Sequence, residues 1–94
     1  MNIKVINYTG SDAEDKDAAK KLRNEIILPT LSDPTGELII DFEDINTSTQ
    51  SFVHALISKA LQDNGEIVLT RIRFINCNES IKRLIAMVTN YSLE

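Results

Sequence analysis

The run Glu37-Leu38-Ile39-Ile40-Asp41-Phe42 constrains this chain most. Three apolar residues follow one another without a break, entered from the turn Ser32-Asp33-Pro34-Thr35-Gly36 and left through the carboxylates of Asp41, Glu43 and Asp44. A half-exposed strand would alternate, and a run this short is no helix. Such a segment fits a strand buried on both faces, in the middle of a parallel sheet covered by helices.

The flanking sequence agrees. Residues 3–8 alternate around Ile3 and Val5 and stop at Thr9-Gly10, predicting a first strand. A helix is expected next: Ser11 and Asp12 are capping candidates and acids precede bases. Ala18, Leu22, Glu25 and Ile26 would share one face, with Ala19 and Ile27 near its margin, and Pro29 disfavours helix at Leu28. Beyond the central strand, Val53, Leu56, Ile57, Ala60 and Leu61 recur at helical spacing until Asn64-Gly65, a C-terminal signal. Residues 66–77 read as a third strand, continuous at Ile67, Val68 and Leu69, then alternating to Phe74 with Arg71 and Arg73 on one side. Asn78 is an N-cap for a last helix striped by Ile81, Leu84, Ile85 and Val88. Strand and helix therefore alternate three times. This predicts an α/β fold, a mostly parallel sheet of three to four strands with about three helices and right-handed crossovers.

Composition narrows the function classes. Ninety-four residues leave room for one domain, residues 1–94. No apolar run approaches the roughly 20 residues that span a bilayer. The first ten residues lack the basic and long apolar regions of a secretion signal, so a cytoplasmic protein without a membrane partner is expected. One cysteine, Cys77, and one histidine, His54, exclude a disulfide framework and argue against structural zinc. Net charge is −4, with ten of the fourteen acids in residues 1–50, the wrong balance for displacing counterions from a nucleic acid. Aromatics are too few for a base-stacking platform. No cofactor is implied.

Candidate sites compete with plainer readings. Gly10, Gly36 and Gly65 are isolated at turns, so neither glycine-rich phosphate loop is present. Asp41, Glu43 and Asp44 lie where open α/β sheets take ligands, and three carboxylates suit a hard cation such as magnesium. The plainer reading has Asp41 organising the turn through backbone hydrogen bonds while Glu43 and Asp44 are solvated; no second acidic cluster completes a metal site. Cys77 precedes a helix, where thiols acidify, but no adjacent base accompanies it, which favours an inert, partly buried cysteine. His54 reads as a surface or boundary residue. Arg71 and Arg73, with Lys82 and Arg83 beyond, suit either a phosphate or acidic partner or simple solvation of an open sheet face. Thr47-Ser48-Thr49-Gln50 matches a capping box, with Ser48 or Thr49 as alternative caps. In every register Ser51 falls in or beside the first turn. A phosphate there would add roughly −1.5 to −2 charge, near the positive end of a helix dipole.

The segment Leu38-Ile-Ile-Asp-Phe-Glu-Asp-Ile-Asn-Thr-Ser-Thr-Gln-Ser-Phe52, with the later Ile72-Arg-Phe-Ile-Asn-Cys-Asn-Glu-Ser-Ile-Lys-Arg-Leu-Ile85, resembles the STAS-like domain of unknown function. That group is related to the sulfate transporter and anti-sigma factor antagonist (STAS) domains. In bacterial anti-sigma factor antagonists the strand is followed by D-L-x-x-V-x-x-I-D-S-S-G-L, whose second serine is phosphorylated by a partner kinase. Counting from Asp41 without gaps places that serine on Ser51; Thr49, Gln50 and Phe52 stand where the motif has aspartate, serine and glycine. The resemblance implies a STAS-like fold and a non-enzymatic regulatory module. Of the residues here the match carries over only Ser51, as the candidate phosphorylation site; the partner- or ligand-binding surface expected around it comprises Asp41, Thr47, Ser48, Thr49 and Ser51. It also implies a regulatory protein partner such as a histidine-kinase-like ATPase. An alternative from another class is a small-ligand or nucleotide-binding domain using the crevice at the end of the central strand.

Overall fold

The structure, a computed structural model, describes residues 1–94. β1 (Asn2–Lys4), β3 (Leu38–Asp41) and β5 (Ile72–Ile75) form a three-stranded parallel sheet with β3 in the middle. β2 (Asp12–Ala13) pairs in parallel with β4 (Thr47–Ser48) in a separate short ladder. α1, residues 16–32, connects β2 to β3; α2, residues 50–64, and the short helical segment α3, residues 65–71, connect β4 to β5; α4 (Glu79–Ser92) closes the chain. The α/β fold with parallel strands is as the alternation of patterns requires.

Strand length is set by β3. Lys4 lies opposite Asp41, and the Val5 amide still donates to the Asp41 carbonyl at 3.0 Å, but beyond that β1 has no neighbour to pair with. The chain turns at once into the helical turn Ile6–Thr9, with the Tyr8 and Thr9 amides on the Val5 carbonyl. The expected strand over residues 3–8 is thus cut short at Lys4. The expected strand over residues 66–77 is shortened for the same reason. Ile72 is opposite Leu38, so residues before it would face the turn at 33–36, where no strand exists. Residues 65–71 are helical instead, burying Val68 and leaving Ile67 and Leu69 exposed.

One face of the sheet is covered. Alternation places Ile3, Leu38, Ile40 and Ile72 on the side where α1 and α2 pack together, and α4 packs against α2. Asn2, Lys4, Ile39 and Arg73 project from the other side, where Ile39 is only half-buried and the rest are exposed. Burial of the central strand on both faces, expected from its unbroken apolar run, is complete on the covered face; on the other, Asp41 is buried at the strand's end and Ile39 only half-buried.

Both crossover helices contain a π turn, Arg23–Ile27 in α1 and His54–Ser58 in α2. The extra residue per turn advances the buried stripe by one position. In α1, Leu22 is followed into the core by Ile27 and Leu31, whereas a regular helix would have used Ile26. The Leu28 amide donates to the Arg23 carbonyl, five residues back, immediately before Pro29. The helix runs through Pro29 to Ser32 rather than ending at Leu28, the proline occupying an early position of the segment Leu28–Ser32. Its start also differs from expectation. Asp15, whose Oδ1 accepts from the Asp17 amide at 2.9 Å, is the cap, while Asp12 belongs to β2. Two polar side chains are buried between helices: Ser92 Oγ of α4 donates to Ser58 Oγ of α2 at 2.8 Å.

Candidate functional site

The polar row between β3 and α2 divides by geometry. Thr47 Oγ1 donates to Asp12 Oδ1 at 2.9 Å and approaches Glu14 Oε1 at 3.2 Å. Ser48 Oγ donates to the Ala13 carbonyl at 2.8 Å. Both hydroxyls thereby fasten β4 to β2. Thr49 is the N-cap: its extended backbone (φ −123°) turns Oγ1 toward the Phe52 amide, from which it accepts at 3.1 Å. Ser51 is the second residue of α2, exposed, and its hydroxyl serves no hydrogen bond of the chain. Phe52 and Val53, which follow, are fully buried and anchor this end of the helix.

Beside Ser51 opens the largest cavity of the molecule, about 560 Å³. Its walls come from three helices: Lys16, Lys20 and Arg23 from α1, Ser51 and His54 from α2, and Tyr91 from α4. His54 Nδ1 and Tyr91 Oη are 2.9 Å apart, with the ring centroids at 5.7 Å. No carboxylate lines the cleft. The chain's ion pairs, Lys4 with Glu43, Lys59 with Asp63 and Lys82 with Glu79, leave all three cations of the cleft unneutralised. Sequence reasoning missed this group. Lys16, Lys20 and Arg23 do repeat at the i, i+4, i+7 spacing of one helix face, but which element faces them depends on how α1 and α2 pack.

Asp41 sits at the carboxyl end of β3 and is only 5 % exposed. Its Oδ1 accepts from the Glu43 amide at 2.8 Å and from Asn76 Nδ2 at 3.0 Å. The Asn76 side-chain bond, then the Glu43 amide, hold its carboxyl below the ordinary carboxylate value; burial opposes them and Lys4 adds a smaller favourable attraction. Asn76 (φ 57°) and Asp44 (φ 63°) are both in the left-handed region, which their side chains tolerate. Asn78 completes this end of the sheet. It caps α4 through the Ile81 amide at 2.9 Å and donates to the Asn46 carbonyl at 3.0 Å. Asp41 lines none of the three cavities of the molecule. It is therefore not brought together with Ser51 in one cleft. No three of the Asp, Glu, His and Cys side chains are grouped to hold a metal ion.

Other candidates are separated. Cys77 is half-buried, and burial raises its thiol above the ordinary value. His54 is in the cleft with Tyr91 rather than beside Cys77. Arg71 is partly buried, and its guanidinium is engaged by the chain itself: Nε donates to the Gly36 carbonyl at 2.8 Å, Nη2 to those of Thr30 (3.1 Å) and Asp33, and Nη1 to that of Leu31 (3.3 Å). It closes the carboxyl end of α1 and the turn after it. No helix is long and apolar enough to cross a membrane.

Comparison with known families matches residues 18–82 to a model described as a STAS-like domain of unknown function. No curated protein and no solved structure gave a match.

Proposed function

Because the chain belongs to the family of STAS-like domains of unknown function, we propose that it is a non-enzymatic, cytoplasmic regulatory module. It binds a protein partner through the surface around the start of α2, and phosphorylation of Ser51 switches that binding. The observation that carries this reading is the contrast among neighbouring hydroxyls. Thr47, Ser48 and Thr49 are committed to bonds that hold the loop and the helix start, whereas Ser51 is exposed and uncommitted on a turn that those bonds fix. A kinase can reach such a hydroxyl, and a partner can read the added charge at a defined position. The resemblance to anti-sigma factor antagonists suggests a histidine-kinase-like ATPase as the partner. Small-ligand or nucleotide binding at the end of β3 has less support, since Asp41 there is buried and engaged by Glu43 and Asn76.

The test is affinity capture from the native host with wild type, Ser51→Ala and Ser51→Asp, read by mass spectrometry. The expected result is a partner that is recovered with Ser51→Ala and lost or exchanged with Ser51→Asp, together with modified Ser51 in the wild type. Equal recovery by all three baits, with Ser51 never modified, would end the switch reading.

A further inference from the structure

The cleft beside Ser51 has a charge that the rest of the molecule does not lead one to expect. The chain is acidic, net −4, yet its largest cavity is lined by three cations and no carboxylate. Lys16 and Lys20 are exposed and Arg23 partly so; Arg23 Nε reaches only the neighbouring Asn24 Oδ1, at 3.0 Å. Three like charges on one helix face repel one another and destabilise the helix slightly unless an anion joins them. Solvation alone would permit acids to intersperse, as they do elsewhere in α1, where Asp17 and Glu25 stand outside the cleft. The facing wall supplies what an oxyanion needs besides charge: the hydroxyls of Ser51 and Tyr91 and the imidazole of His54.

We propose that this cleft is a phosphoryl-binding site, in which Lys16, Lys20 and Arg23 of α1 hold a phosphoryl dianion at the lip formed by Ser51. The inference deepens the switch reading and rests on it for one source of the group, phosphate carried by Ser51 itself; the other source is a free phosphate-bearing ligand. Lysine and arginine are the side chains that take phosphate, Lys as a point charge and Arg through two N–H groups. Held in this way, a phosphate on Ser51 would join α2 to α1 across the cleft and offset most of its positive charge, so a partner would meet a changed surface rather than a lone added anion.

Two arms separate the sources, both on the full chain. In the first, phosphoserine is installed at position 51 by genetic encoding, and the second ionisation of the phosphate is followed by phosphorus NMR. Three nearby cations favour the dianion, so its proton affinity should fall about tenfold, one pKa unit, relative to a phosphoserine peptide. Lys16→Gln, Lys20→Gln and Arg23→Gln together should restore the peptide value. These residues make no ion pair, and circular dichroism verifies that the variant remains folded. In the second arm the unmodified protein is titrated with inorganic phosphate and with pyrophosphate, and shifts at Lys16, Lys20, Arg23 and His54 are sought. A response in the first arm assigns the site to phospho-Ser51, and one in the second to a free ligand; either must vanish in the triple variant. A peptide-like ionisation together with no saturable shift overturns the proposal. Partner capture with Ser51 variants fails independently of this result, because the phosphate chemistry is read without any partner.

Discussion

At the scale of single residues, adjacent side chains of one chemical type do different things because the backbone aims them differently. Thr49 and Ser51 are two apart, yet only Thr49 is extended and can turn its oxygen onto the Phe52 amide. Thr49→Ala should therefore cost about 1 kcal/mol in urea unfolding, while Thr49→Ser or Thr49→Asp retains most of the stability. Ser51→Ala, which loses no bond of the chain, should unfold within about 0.5 kcal/mol of wild type. The sequence limited the cap to Thr47, Ser48 or Thr49 and could go no further, since a two-residue pairing with Asp12 and Ala13 decides the register. Asp41 was legible as the organiser of its turn, but not its Asn76 partner 35 positions away. Its carboxyl is held below the ordinary value, so its stabilising contribution is complete above that value and disappears as pH falls through the lower, folded one. Chemical denaturation between about pH 5 and pH 2 should show wild type losing stability faster than Asp41→Asn. Equal slopes would mean that other carboxylates govern the acid limb.

At the scale of elements, hydrophobic spacing located the helices, while tertiary pairing set their edges and phase. The stripe of α2 was read correctly from Val53 to Leu61, because the apolar residues crowd its whole inner face. In α1 the stripe is narrower, and one added residue in the π turn was enough to put Ile27 where a regular helix would put Ile26. β5 was overextended because Ile67, Val68 and Leu69 are strand formers locally, yet β3 offers nothing for them to pair with. Arg71 shows how the resulting corner is held. Its guanidinium is shared among carbonyls of the α1 end and the turn at 33–36, an arrangement that also requires Gly36, where a Cβ would strike the Thr30 carbonyl. Arg71→Ala should destabilise the domain by about 2 kcal/mol. Arg71→Lys should recover little, because an ammonium cannot span carbonyls that a planar fork reaches together. Full recovery by lysine would show that charge alone matters there.

Across the whole molecule, the sheet is covered on one side, and α4 packs against α2. Ile81 and Val88 are fully buried, and Ser92 completes the Ser58 hydroxyl pair. A chain ending at residue 77 would expose that seam on α2, and should lose cooperative thermal unfolding rather than merely shift its midpoint. The broad architecture was legible because strand and helix patterns alternate; the cleft was not, because it is made by three helices whose relative positions no local pattern encodes. The parallel register has a further consequence, in time rather than in space. Asn2 meets Ile39, and Ile39 meets Arg73, so no strand of the main sheet pairs with a neighbour in the chain. Each pairing closes a loop of more than thirty residues before any ladder hydrogen bond compensates it. The crossover helices are the local structure available while those loops close, and folding should be slow for so short a chain, with β5 seated only after the end of α1 has formed for Arg71 to grip.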